Sequence, residues 1–196
     1  MRRITLVFAL AIAWLVVGAF LPPLAQSSPA KHVHVSDYID QVFLEPRHSV
    51  LTGDMFIHLR DVHHIPIVDA MVLLQMETTM GAPNVFTRHN NFGCVKYFQK
   101  RTVLFRNLVP GTFWYWGSRW YSWKTPAQGM CAWGRFIEHW GDGWFLRRLK
   151  AGDWTTVARV YNGGSTYAAR CRALDVKYTA MFKAAGYPLT ASGWTP

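Results

Sequence analysis

The chain reads as α+β, mainly α, with a helical body and one small β-rich segment. Three observations predict that class. Apolar residues recur at helical spacing before and after the middle of the chain. The stretch from Cys94 to Trp123 instead alternates β-branched and aromatic residues with Lys, Arg and Thr. Gly, Pro and Asn punctuate the borders between these stretches.

Taken in order, the chain opens with Met1, Arg2 and Arg3, then an apolar run from Ile4 to Leu21, then the small and polar residues up to Ala30. Residues 1–30 read as a cleavable signal peptide or a retained N-terminal membrane anchor, since the run is just long enough to span. Residues 31–48, polar and rich in His, read as a linker, and 49–190 as one folded domain. Removing the export segment leaves about 170 residues, enough for one core.

A helix is expected over Thr52 to His63, with Met55, Phe56, Leu59 and Val62 in register, and a second over Pro66 to Met80, opened by its proline. After the β-rich segment, Thr125 can cap a helix that starts at Pro126 and runs to about Trp140. Shorter helices follow over Trp144 to Lys150 and Trp154 to Tyr161. Ser165 can cap a last long helix through Ala185, stopped by Gly186 and Pro188.

The formal net charge of +10 includes two arginines of the export segment, so an excess of about eight remains on the exported part. An anionic partner is expected: for an exported chain, cell-wall polymers or anionic lipid rather than nucleic acid. Cys94, Cys131 and Cys171 are too few and too dispersed for a zinc motif. One disulfide plus one free thiol is the simplest arrangement, with Cys131 and Cys171 the preferred pair because both fall on expected helices. His58, His63 and His64 miss the i, i+4 spacing of a helical metal pair, so neither a metal nor another cofactor is expected.

Glu77 stands at the end of the apolar run that starts at Pro66, and no other Asp or Glu follows before Glu138. One helical turn back lie Leu73 and Leu74, so its carboxyl projects from an apolar face. Such surroundings raise a carboxyl pKa and suit a general acid. An ordinary exposed Glu in a last helical turn is the bland alternative. The segment beyond it holds Trp114, Trp116, Trp120 and Tyr121 among ten aromatics, too many to hide completely, and aromatic faces stack on sugar rings. Part of that set is expected to form a small core instead.

Glu77-Thr78-Thr79-Met80-Gly81 and the later Asn90-Asn91-Phe92-Gly93 resemble the E-S/T-x-x-G and N-N/L-F-G motifs of the glucosaminidase-type peptidoglycan hydrolases of the lysozyme superfamily. Tyr161-Asn162-Gly163 is similar to the Y-N-G segment of muramidases and lytic transglycosylases, and Tyr167-Ala168 to a glucosaminidase helix start. The resemblance runs from Asp54 to Tyr187. It implies a lysozyme-like helical lobe and small β lobe with a cleft between them, and an exported endo-β-N-acetylglucosaminidase cutting the β-1,4 backbone of peptidoglycan strands. In that reading Glu77 is the proton donor and Tyr161 and Tyr167 line the cleft opposite it. Asn90, Asn91 and Phe92 join the aromatics in binding substrate.

Each of those residues has a structural alternative: Asn90 and Asn91 can hold a turn, and Tyr161 and Tyr167 can pack helices. The β lobe lacks the second carboxylate many glycosidases use. Three readings follow. Glu138 or Asp142 approaches from the helical part, the substrate's 2-acetamido group is the nucleophile with Tyr161 or Tyr167 stabilising the charged intermediate, or the protein binds the wall without cutting it; the second is favoured. A lytic transglycosylase or muramidase of the same fold is the enzymatic alternative.

Overall fold

The computed structural model describes residues 34–98, 104–105, 107–108 and 110–187. The signal-peptide or anchor reading of 1–30 and the helix stop at Pro188 lie outside these residues. No helix among the described residues is long and apolar enough to cross a membrane.

The linker reading of 31–48 gives way from Val35 onward. Helix α1, Val35–Ile39, runs into a wide π-type turn, Asp40–Leu44, and a tight turn, Glu45–Arg47. Val35, Ile39 and Phe43 recur every fourth residue, which puts them on one helical face, and all three are buried. The polar residues between them conceal that stripe in a reading of composition.

Helix α2, Gly53–His63, starts one residue after the expected Thr52 and buries Phe56 and Leu59, whereas Val62 is exposed. Helix α3, Ile67–Thr78, is apolar nearly all round, with Ile67, Val68 and Ala70 through Leu74 buried; this is the pattern of a core helix. It ends where Thr79 and Met80 turn left-handed, with φ of 51° and 58°. A short helix α4, Val85–Arg88, follows. Asn84 caps it by accepting from the backbone N–H of Phe86 and Thr87, and the Thr87 hydroxyl accepts from Asn84 N–H at 2.7 Å.

The β-rich expectation holds in a reduced form. Strands β1, Gly111–Tyr115, and β2, Ser118–Ser122, pair antiparallel with Phe113 opposite Trp120 and Trp114 opposite Arg119. Trp116 and Gly117, both at positive φ, make the two-residue turn that matches hairpin twist. One further bridge joins Lys96 to Trp120. Phe86 of α4 packs edge-on against Phe113, Tyr115 and Trp120, and His89 stacks on Phe113 at 3.8 Å, so the hairpin is anchored through one aromatic face.

Helix α5, Pro126–His139, is capped by Thr125, whose hydroxyl accepts from Gln128 N–H at 3.2 Å. Helices α6, Trp144–Lys150, and α7, Trp154–Tyr161, match the expected bounds, and Asp153 caps α7 through Thr156 N–H. In α8, Ser165–Ala184, the cap position belongs to Gly164 rather than Ser165. The described part is thus mainly helical with one two-stranded antiparallel sheet. The expected Cys131–Cys171 disulfide is not formed: all three cysteines are free thiols.

Candidate functional site

Glu77 occupies the last turn of α3 and is half-buried. Its Oε1 accepts a hydrogen bond from the Tyr167 hydroxyl of α8 at 2.7 Å. Burial pushes its carboxyl above the usual range, and hydrogen bonds from Tyr167 and Cys94 pull part of the way back without cancelling that effect. Burial and the neighbouring Glu77 charge push the Tyr167 hydroxyl far up, so it stays a neutral donor. Cys94 is driven up by the same two causes and its thiol remains protonated.

Tyr161, at the end of α7, is held by two bonds. Its hydroxyl donates to the Gly93 carbonyl at 2.7 Å and accepts from the Trp133 indole N–H at 3.0 Å. Its ring lies among Trp140 and Phe145. Gly93 is required here by close approach: a Cβ on it would fall 1.9 Å from Trp133 Cδ1. The Gly93 turn, α5 and α7 are therefore locked together beside Glu77.

Of these groups Glu77, Gly93, Cys94, Trp140 and Tyr161 border a cavity of about 390 Å³. Glu77 lines it from α3, Gly93 to Lys96 from the chain after the turn, Trp120 from β2, Phe136 and Trp140 from α5, and Val160 to Asn162 from α7. One acid thus faces a space walled by indole, phenol and benzyl groups, with the exposed Lys96 at its margin. All 11 carboxylate residues of the chain fall within the described residues, and Glu77 alone among them lines this cavity. Glu138 is instead committed to His63, with Oε2 at 3.0 Å from Nδ1. Chemically, the arrangement can present a proton to a bound oxygen and hold flat apolar faces of a ligand.

The structure brings together Glu77, Tyr161, Tyr167 and Trp120. The other residues of the expected binding set do not line the cavity. Phe92 and Tyr121 are fully buried, Phe92 as core and Tyr121 among Tyr97, Phe105 and Trp123. Asn91 is fully buried too: its amide donates to the Val95 and Tyr121 carbonyls, and its oxygen accepts from Val95 N–H at 2.7 Å. Asn90 sits at φ 54° and donates to the Trp123 carbonyl at 2.8 Å. Both asparagines secure the turn, which is the common use of short amide side chains. Trp114 and Trp116 are 73% and 87% exposed on the hairpin but do not line the cavity.

Sequence reasoning passed over Trp133, Phe136 and Trp140, although their i, i+3, i+7 spacing marks one face of α5. It also passed over Cys94 as a neighbour of the acid, for which no sequence signal exists. Comparison with family models, with curated proteins and with solved structures found no match to this chain.

Proposed function

We propose that the protein is an exported, lysozyme-like peptidoglycan hydrolase that cleaves the β-1,4 glycan backbone as an endo-β-N-acetylglucosaminidase, with Glu77 as its general acid. The observation that carries this reading is a half-buried carboxyl of raised pKa, tied to Tyr167 at 2.7 Å, in the wall of an aromatic cavity. Protonated Glu77 gives its proton to the glycosidic oxygen as the C1–O bond breaks. With no second carboxylate lining the cavity, the substrate's own 2-acetamido oxygen attacks C1 and forms a cyclic oxazolinium. Water then adds at C1, the resulting carboxylate of Glu77 takes its proton, and the acetamido group is restored. Tyr167 positions Glu77, and Tyr161 holds the Gly93 backbone against the cavity. Trp120 and Trp140 offer the faces on which sugar rings stack.

The same single acid serves a lytic transglycosylase when the muramic 6-hydroxyl attacks C1, giving an anhydro end in place of a reducing one. Mass spectrometry of released muropeptides separates reducing GlcNAc, reducing MurNAc and anhydro products. The decisive experiment is dye release from labelled sacculi by the wild type and Glu77→Gln, which keeps the shape and removes the proton. Release falls by on the order of 1,000-fold or more in the variant, while pelleting with sacculi is retained. Equal release by both proteins reassigns the acid. Pelleting without release by the wild type identifies a wall-binding protein that does not cut.

A further inference from the structure

Helices α2 and α5 meet at a second cluster of reactive side chains, independent of Glu77 and of the cavity beside it. His58 and His63 lie on α2, with ring centroids 5.6 Å apart, and Cys131 comes from α5. One donor atom from each of the three lies within 4.8 Å of the other two. The i, i+5 spacing that argued against a metal pair on one helix is completed from another helix.

His63 points to a ligand. The residue is only 3% exposed, and its Nδ1 lies 3.0 Å from Glu138 Oε2. A carboxylate can only accept, so in the neutral ring Nδ1 carries the proton and Nε2 carries the lone pair. That Nε2 is buried and has no hydrogen-bond partner. A buried acceptor left unsatisfied is costly, and a metal–nitrogen bond removes the cost. A carboxylate on the far nitrogen is the usual outer partner of a metal-bound histidine. Gly134 permits the ring to lie where it does, because a Cβ there would sit 2.3 Å from His63 Cδ2.

We infer that His58, His63 and Cys131 form a binding site for a borderline-soft divalent transition metal, with zinc the best fit. Two imidazoles and one thiolate make a zinc-type donor set, and a fourth tetrahedral position is left for water. Zinc bonds of about 2.0 to 2.3 Å need donors about 3.3 to 3.7 Å apart, so donors that lie within 4.8 Å close by up to about 1.5 Å on binding. The exposed His58 and the half-buried Cys131 are free to make that movement, while Glu138 fixes His63. The thiolate and Glu138 offset the charge of the ion, and Arg135 nearby opposes it. The ion would clip α2 to α5.

The test uses the full chain. Zinc is titrated against a chromophoric chelator, and cobalt(II) is used as a spectroscopic stand-in. The wild type takes up one zinc per chain, its cobalt form shows a thiolate charge-transfer band, and zinc raises its Tm. Cys131→Ser loses the band and the Tm rise, and His58→Ala loses tight uptake. Glu138→Gln weakens binding by about 10- to 100-fold. His64→Ala, at an exposed position outside the cluster, binds as the wild type does. These variants avoid the buried His63, whose loss can unfold the protein. Absence of stoichiometric uptake by the wild type overturns the inference, and so does a Cys131→Ser variant with unchanged band and affinity. Because none of these readouts involves glycan cleavage, failure here leaves the role of Glu77 untouched.

Discussion

A carboxyl that donates a proton near neutral pH needs surroundings that resist its charge, yet it must be held so that the proton points at the substrate. In the role proposed for it, Glu77 meets both needs with different neighbours, since burial raises its pKa and Tyr167 fixes its orientation while lowering that pKa somewhat. The two effects are separable. Tyr167→Phe removes the donor and keeps the ring, so the alkaline limb of the pH–rate profile, which reports loss of the Glu77 proton, moves to higher pH. A purely structural role for the hydroxyl would lower activity at every pH and leave the limb in place. Stability responds to the same group. A folded pKa above the unfolded one means the native state holds the proton more tightly, so stability is lost as pH rises from the ordinary carboxylate pKa to the raised folded value. Glu77→Gln abolishes that loss. Its Tm relative to wild type is constant in acid and rises as pH passes through this window, measured by thermal melts from about pH 3 to about pH 8. A difference that does not change with pH contradicts a raised Glu77 pKa. Asp69, which burial also pushes well up, is common to both proteins and cancels in the comparison.

At the scale of elements, the turn 90–93 transmits order from the hairpin to the helices. Asn91 binds it to Val95 and to Tyr121 of β2, and Gly93 seats it against Trp133 of α5. Asn91→Ala leaves two buried carbonyls and one N–H without this partner and costs about 3 kcal/mol. Gly93→Ala drives a methyl into the Trp133 ring and costs about 1 to 3 kcal/mol. Urea melts give both values, and a cost below about 0.5 kcal/mol for either variant means the turn carries no such strain or bonding. Both changes also disturb Tyr161, through the Gly93 carbonyl, so the proposed cleavage falls under conditions where the fold is retained. The sequence pattern suggested Asn90, Asn91 and Phe92 as ligand contacts, whereas in the fold Asn91 and Phe92 are buried and both asparagines bond backbone carbonyls. Asparagine side chains near unpaired backbone groups satisfy those groups first.

Across the whole molecule, most helices were legible because start and stop signals agreed with apolar spacing; Thr125-Pro126 and the bounds of α6 and α7 are examples. The elements that escaped had signals diluted by polar neighbours, as in α1, or were too short for a period to show, as in α4. Glu77 was legible through its apolar run. The partners that define its surroundings were not, because Tyr167 is 90 residues away and only the tertiary fold brings the two side chains together. Charge is legible without any fold, and it carries a prediction of its own. With 21 Lys and Arg against 11 Asp and Glu, the proposed attraction to an anionic wall acts at the range of the Debye length, which shrinks from about 10 Å at 0.1 M salt to about 3 Å at 1 M. Stacking on exposed indoles does not depend on salt in this way. Pelleting of the Glu77→Gln protein with sacculi therefore falls steeply with salt toward a residual level. In the Trp114→Ala, Trp116→Ala double variant the residual level drops and the slope is unchanged, since both side chains are exposed and neither is charged. A salt-independent binding curve for the parent protein contradicts wall recognition by net charge. A double variant that matches its parent at high salt assigns the glycan-holding surface to the cavity alone.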